Sequence, residues 1–294
     1  MPTFFSTPTF MNAPMGEDDA PGRFAILGVP FDAATSLRTG TRLGPGAIRA
    51  ACAHLLLDPL YPFSVPPGEI DMRDHGDVKI DFGRAETNMA AIEARVRGLV
   101  AAGAHCVTLG GDHSITLPIL RAHAQKHGPL ALVQFDAHQD TWADDGSRVD
   151  HGTFVTRAVA EGVIDAARSV QIGIRTRAPA TCGLRVIGME EIDALGIAGT
   201  IAAVRETVGT GAAYLSFDID CLDPAHAPGT GTPVIGGLSS REALRILRGI
   251  AGLDWRGMDL VEVAPAYDHA ELTAIAGATV TLTYLTMLAE RDRG

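Results

Sequence analysis

Carboxylate and imidazole side chains follow an apolar stretch in the segment FDAHQD. It places Asp136, His138 and Asp140 at alternate positions behind the apolar run PLALVQ. In an extended strand such side chains share one face, and burying unpaired charge there is costly. A positive charge must therefore lie against them. Asp136 and Asp140 would be about 13 Å apart in an extended chain, so the chain must curl after His138 for both to reach one ion.

Two further segments have the same chemical character. GGDHS follows the apolar CVTL, and its two glycines permit a sharp turn that brings His113 to the strand end. SFDIDCLDP is predicted to place Asp218 and Asp220 on one strand face, where two carboxylates repel unless a cation lies between them. The plainer alternatives are a helix cap in GGDHS, solvated loop residues in FDAHQD, and a turn at Asp223-Pro224.

Together the candidate ligands of the three segments are two imidazoles and four carboxylates, with no thiolate among them. This set is large enough for two divalent ions, and its oxygen-rich character suits Mn²⁺ better than structural zinc. A two-metal centre activates a bridging water for attack. Because four carboxylates balance two divalent cations, a centre that also holds hydroxide is slightly negative and favours a cationic substrate.

The elements that must position these residues alternate between apolar strands and amphipathic helices. This alternation predicts a mostly parallel sheet covered on both faces, and ligands in such sheets bind beyond the carboxyl ends of the strands. We predict an N-terminal arm over residues 1–22 and a single three-layer α/β/α domain over 23–294. The predicted strands are RFAILGV, HCVTLG, PLALVQFDAH, SVQIGIR, LRVIG, AAYLSFDID and MDLVEVAP.

Composition limits the possible partners. The net charge of −11 argues against nucleic acid or an anionic membrane surface, and it fits either a solvated acidic surface or a cationic small molecule. No run approaches the ~18 apolar residues of a membrane span, and the N-terminus lacks a signal-peptide pattern. The four cysteines are widely spaced, which predicts reduced thiols and a cytoplasmic location.

The motifs GGDHS, FDAHQD, SFDIDCLDPAHAPGTGTPVIGGLS and DLVEVAPAYD, in this order, resemble those of the ureohydrolases, the arginase and agmatinase superfamily. The resemblance extends over about residues 23–289. It implies the arginase-type α/β/α sandwich with an eight-stranded parallel sheet, and a homo-oligomer, either trimer or hexamer. It also implies two Mn²⁺ per subunit and hydrolysis of a guanidino compound to urea and an amine.

The resemblance implies a ligand set for each ion, with Asp136 and Asp218 bridging the two. The first set is His113, Asp136, Asp140 and Asp218. The second set is Asp136, His138, Asp218 and Asp220.

The resemblance also implies the catalytic and substrate-binding residues. Glu262 in DLVEVAP matches the carboxylate that pairs with the guanidinium, and His151 in DHGT matches the histidine that moves protons for the leaving group. Thr232 in GTGTP matches a threonine beside the substrate, and Asp140 counts among the catalytic residues as well as the ligands. These roles fit a guanidinium, which is a poor electrophile: it needs a metal-generated hydroxide, a carboxylate for its planar fork, and an acid for the departing amine.

Agmatine, cleaved to putrescine and urea, is the substrate that the resemblance favours. Asp144 and Asp145 are available to an amine, whereas Arg148 is available to a carboxylate, as in 4-guanidinobutyrate or 3-guanidinopropionate. A guanidino-acid hydrolase therefore stays open as the alternative. A metal-dependent amide deacylase and a non-catalytic metal-binding homologue fit the motifs less well. No role is assigned to Gln139 or His226.

Overall fold

The computed structural model describes residues 9–17, 20–55 and 58–293. The strands, in chain order, are β1 (Phe24–Val29), β2 (Met72–Asp77), β3 (His105–Gly110), β4 (Ala131–Phe135), β5 (Val170–Ile174), β6 (Arg185–Gly188), β7 (Ala212–Asp218) and β8 (Asp254–Val261). The helices are α1 (Gly44–Ala51), α2 (Ala85–Ala101), α3 (Thr116–His127), α4 (Phe154–Ala160), α5 (Met189–Val208), α6 (Ser240–Gly249) and α7 (Leu272–Arg291).

The eight strands form one parallel sheet in the order β2-β1-β3-β8-β7-β4-β5-β6. Successive residues of β1 enter two separate cores: Phe24 and Ile26 pack on one face, and Ala25 and Leu27 pack on the other. This is why the strand is apolar at every position, as expected for a sheet that is covered on both sides. The predicted three-layer α/β/α fold is confirmed.

Strand β2 was not among the strands predicted from sequence, because its residues, MRDHGD, are mostly polar. Its Asp74 is fully buried, and Arg49 neutralises it through bonds of 2.8 and 2.9 Å. The N-terminal segment lies along this edge: Gly16 N–H donates to the Asp74 carbonyl, and the Phe10 ring is buried. Residues 1–8 and 18–19 of the predicted arm lie outside the described residues.

Helix α7 corrects the expectation that no segment has the length and hydropathy of a membrane span. Its best window has a mean hydropathy of 1.5. However, 78 % of that window is buried inside the structure, where the helix packs against α1 and α6. The core helix of a soluble protein meets the same criteria, so this helix is weak evidence for a membrane span.

Candidate metal centre and active site

The chemically active motifs converge because their strands are neighbours in the sheet. Strands β3, β8, β7 and β4 are adjacent in that order, and all run parallel. GGDHS, Glu262, Asp218 and DAHQD follow or end these strands, so they meet at one edge. The glycine turn is required there: a Cβ on Gly111 would lie 1.8 Å from the Phe31 carbonyl oxygen.

Apart from Asp218, the last residue of β7, the ligands predicted in FDAHQD and SFDID lie beyond the strands, which corrects the expectation that they share strand faces. Strand β4 ends before Asp136, and β7 ends at Asp218. The Asp136 carboxylate accepts a hydrogen bond from His138 N–H at 2.6 Å, and the Asp218 carboxylate accepts one from Asp220 N–H at 2.7 Å. Each aspartate therefore turns the chain back immediately, as Asp side chains do in turns.

Two site residues have left-handed backbone conformations. Asp140 has φ 50°, so the curl expected after His138 is present, and Glu262 has φ 65°. Glu262 is held in this conformation by a hydrogen bond from its N–H to the Gly111 carbonyl at 2.9 Å. Strained backbone of this kind is concentrated at functional sites, where the surrounding structure maintains it.

His113 is at the centre of the first cluster. Its Nδ1 lies 3.1 Å from Asp136 Oδ2, 3.0 Å from Asp140 Oδ2 and 3.1 Å from Asp218 Oδ2. The ring is buried, and Nδ1 makes no well-aligned hydrogen bond to any described residue. A nitrogen and three carboxylate oxygens thus converge on a point that a cation can occupy.

The other nitrogen of His113 determines its tautomer. Ser216 Oγ donates to Asp259 Oδ1 at 2.7 Å, so the serine oxygen is free to accept from His113 Nε2–H at 2.8 Å. The proton on Nε2 leaves a lone pair on Nδ1, directed at the carboxylates. Metal-binding histidines are usually supported in this way, by a hydrogen bond from the ring nitrogen that does not face the metal.

The second cluster is built around His138. Its Nδ1 lies 3.1 Å from Asp220 Oδ2 and 3.4 Å from Asp136 Oδ1. Asp136 therefore presents one oxygen to each histidine and belongs to both groups. The second oxygen of Asp218 instead accepts the Asp220 N–H, so the geometry places Asp218 in the first cluster only. All six predicted ligands are brought together.

The pKa values within these clusters indicate a need for positive charge. Burial and the nearby Asp220 and Asp136 charges raise the pKa of Asp218 well above its usual range. Burial and the Asp136 charge raise the pKa of Asp140 to about 6. Burial opposes protonation of His138, but Asp220 and Asp136 raise its pKa to about 12. Divalent cations would supply the same charge, so the donor set of carboxylates and imidazoles fits a pair of divalent metal ions.

Glu262 lies beside the first cluster and is only 1 % exposed. Its Oε1 accepts from His113 N–H at 2.9 Å and faces His151 Nδ1 at 3.0 Å. Its Oε2 is buried without a hydrogen-bond donor among the described residues. A buried carboxylate oxygen in this state attracts a charged donor, and a guanidinium carries five N–H groups suited to it.

His151 is held between Glu262 and Ser36. Its Nε2 accepts from the Ser36 N–H at 3.1 Å and lies 2.9 Å from Ser36 Oγ, so in the neutral ring the proton is on Nδ1 and points to Glu262. Burial opposes protonation, but the hydrogen bond with Glu262 raises the pKa of His151 to about 9. Sequence reasoning missed Ser36, which lies in VPFDAATS, outside the four motifs that carry the resemblance.

A cavity of about 370 Å³ opens over these clusters. Thr232 lines it, with Oγ1 3.4 Å from Asp220 Oδ2. Asp144 and Asp145 do not line it: Asp144 pairs with Arg157 at 3.0 Å, and the Asp145 carboxylate accepts the Ser147 N–H. The cavity wall also includes His138, Asp140, Asp218, Ser36, Arg148, Asp150 and His151.

The two residues without an assigned role lie elsewhere. Gln139 is buried, and its side-chain oxygen accepts the Ala178 N–H at 2.8 Å, so it supports the turn after β4. His226 is exposed and lines a separate, mostly apolar groove of about 260 Å³ beside α6 and α7. Asp223 accepts N–H bonds from Ala225 and Gly236, which is the turn predicted for Asp223-Pro224.

The fold and the paired clusters define an α/β/α protein with a two-centre carboxylate–imidazole site at the carboxyl edge of its sheet. A model of the arginase family matches residues 22–286, and the chain belongs to that family. The predicted membership of the arginase and agmatinase superfamily is thereby confirmed.

Individual relatives agree with this placement. An agmatinase of Proteus mirabilis is 48 % identical over 274 residues, covering 91 % of this chain and 88 % of the relative. An agmatinase of Neisseria meningitidis serogroup A is 49 % identical over 264 residues, covering 89 % of this chain and 86 % of the relative.

Solved structures show the same similarity. A hypothetical agmatinase from Burkholderia thailandensis has a TM-score of 0.95 at 45 % identity, over 99 % of this chain and 93 % of that chain. Proclavaminate amidino hydrolase from Streptomyces clavuligerus has a TM-score of 0.92 at 37 % identity, over 99 % of both chains.

Proposed function

We propose that this chain hydrolyses agmatine to putrescine and urea, using two Mn²⁺ ions per subunit. The observation that carries the proposal is its identity of nearly one half with agmatinases across nine tenths of its length. The site geometry is consistent with that chemistry, since two carboxylate–imidazole clusters lie beside a buried acceptor for a guanidinium.

In this proposal the ligand sets are those that the resemblance implies. His113, Asp136, Asp140 and Asp218 would hold one ion, and Asp136, His138, Asp218 and Asp220 would hold the other. The ions supply a nucleophile derived from water at neutral pH. Ser216 and Asp259 keep His113 in the tautomer that ligation requires.

The remaining residues bind the substrate and move protons. Glu262 Oε2 accepts N–H groups of the guanidinium and fixes its plane, and Thr232 lies beside the bound guanidinium. His151 protonates the departing amine, because an amine leaves as a neutral molecule more readily than as an anion. Its contact with Glu262 keeps the ring next to the reacting group.

One observation favours the alternative, hydrolysis of a guanidino acid. Arg148 lines the cavity and is a cation that a substrate carboxylate can approach. An assay of urea release with Mn²⁺ separates the two functions, using agmatine, 4-guanidinobutyrate, 3-guanidinopropionate and arginine. We expect agmatine to react fastest and to yield equal amounts of urea and putrescine. Faster hydrolysis of 4-guanidinobutyrate would contradict the agmatine proposal, and release of no urea would contradict both.

We further propose that the protein acts in the cytoplasm as a homo-oligomer. The four free cysteines are compatible with a reducing compartment. The assembly, a trimer or a hexamer, is testable by light scattering, and a monomer at the assay concentration would contradict it.

A further inference from the structure

The cavity contains one carboxylate besides the predicted metal ligands, that of Asp150. Its Oδ1 accepts the Gly152 N–H at 2.9 Å and caps the turn that carries His151. Its Oδ2 lies 2.7 Å from Arg148 Nη2. The Asp150 side chain is 20 % exposed, so it is partly removed from water but open to a ligand in the cavity.

Arg148 is a weakly held partner for this carboxylate. Its side chain is 76 % exposed, and such exposed ion pairs contribute little to stability. A second cation that enters the cavity can therefore replace Arg148 at Asp150 at small cost, while Arg148 turns into solvent.

We propose that Asp150 binds the terminal ammonium of the substrate, and that it thereby selects guanidines that carry an amine at the far end. This inference rests on the proposed function and specifies its substrate class. Asp150 directly precedes His151, whose Nδ1 lies 3.0 Å from Glu262 Oε1, and Asp150 and His151 both line the cavity.

A carboxylate at the far end fits this arrangement poorly. If it drew Arg148 away, Asp150 would be left without its cation, and the two carboxylates would repel. An ammonium restores the same charge balance that Arg148 provides. The electrostatics of the pair therefore favour an amine over an acid, although Arg148 by itself suggests the reverse.

The test compares agmatine with butylguanidine, which has the same guanidinium and carbon chain but no ammonium. The main variant is Asp150→Asn, because asparagine keeps the capping oxygen and removes the charge. The matched control is Asp145→Asn, the same change at an exposed carboxylate of the same loop outside the cavity. Urea release gives kcat and KM for each protein and substrate.

We expect the wild-type protein to prefer agmatine to butylguanidine by at least about 10-fold in kcat/KM, the usual effect of one charge-assisted contact. Asp150→Asn should abolish this preference through a higher KM for agmatine, and leave butylguanidine within about twofold. Asp145→Asn should behave like wild type, and Arg148→Ala should leave KM for agmatine equal or lower.

Two results would overturn the inference while leaving the proposed function intact. One is a wild-type protein that releases urea from both guanidines at similar kcat/KM. The other is an equal loss on both substrates in Asp150→Asn, which would assign Asp150 to the turn alone. Failure of the wild-type protein to release urea from any guanidine would instead contradict the proposed function.

Discussion

Asp136 is the residue on which the two clusters depend. It presents one carboxylate oxygen to His113 and the other to His138, and it is fully buried. Its Oδ2 also accepts from the Gln134 amide at 2.7 Å, which fixes the carboxylate plane. Of the two cluster histidines, Asp220 contacts only His138. The two aspartates therefore have different expected effects on metal content.

Asp136→Asn should lose both ions, because removing a shared carboxylate leaves two cations facing each other with too little negative charge. Asp220→Asn should lose mainly one. Elemental analysis of the purified proteins, with Asp145→Asn as the control, measures ions per subunit. Two tightly held ions in Asp136→Asn would contradict the shared position of this carboxylate.

His151 has a different role, since it contacts neither cluster histidine in the structure and is held by Glu262 and Ser36. His151→Ala should keep both metals and lower kcat by about 10²–10⁴-fold, the usual contribution of a positioned acid–base group. Steady-state urea release and elemental analysis on the same preparation measure both. His226→Ala, at an exposed position, is the control, and loss of metal in His151→Ala would make His151 a ligand.

At the scale of elements, the regular strands and helices were predictable from apolar patterning, but the polar edge strand β2 was not. The motifs identified the site and required the curl after His138, but they did not show where the strands end. The strands end earlier than the alternation in FDAHQD and SFDID suggests, because Asp side chains bond to the next N–H groups. Ser36 reaches His151 across 115 residues, a contact that no local pattern encodes.

Arg175 connects the segments around the second cluster. Its guanidinium donates only to backbone carbonyls in the described structure, at 2.6–3.2 Å, those of Gly173, Asp220, Cys221, Leu222 and Val234. It thus ties the end of β5 to the turn after β7 and to the segment that follows Thr232.

Arg175→Lys should loosen the turn that holds Asp220, because lysine has three donors and lacks the planar fork. We expect weaker binding of one Mn²⁺, and a loss of about 1–3 kcal/mol in the free energy of unfolding. Metal titration and chemical denaturation measure these effects. Arg177→Lys, two residues away and exposed, should leave both unchanged. Unaltered metal affinity in Arg175→Lys would show that the turn holds its shape without the guanidinium.

At the scale of the whole molecule, the covered sheet buries titratable groups far from the site. Burial, and then the positive charge of Arg23, lowers the pKa of His105 to about 3. Burial, and then His105, lowers the pKa of His123 to about 3. Tyr284 Oη lies 2.7 Å from His105 Nε2, whereas neither ring nitrogen of His123 has a hydrogen-bond partner among the described residues. Both rings are therefore neutral in the folded protein at neutral pH.

Acid should accordingly destabilise the fold through His123. The pKa of His123 in the folded protein lies below the unfolded value of about 6.5. The contribution of this residue to the free energy of unfolding is therefore complete above pH 6.5 and is lost as the pH falls toward 3. At pH 5 the loss is about 2 kcal/mol. His123→Leu removes the titrating group, so its free energy of unfolding should fall less between pH 7.5 and pH 5 than that of wild type. Chemical denaturation at both pH values measures this fall for each protein. Because the metal ligands titrate in both proteins, the difference between the two falls reports on His123. His226→Leu should fall as wild type does, and an equal fall in His123→Leu would show that His123 takes up no proton on unfolding.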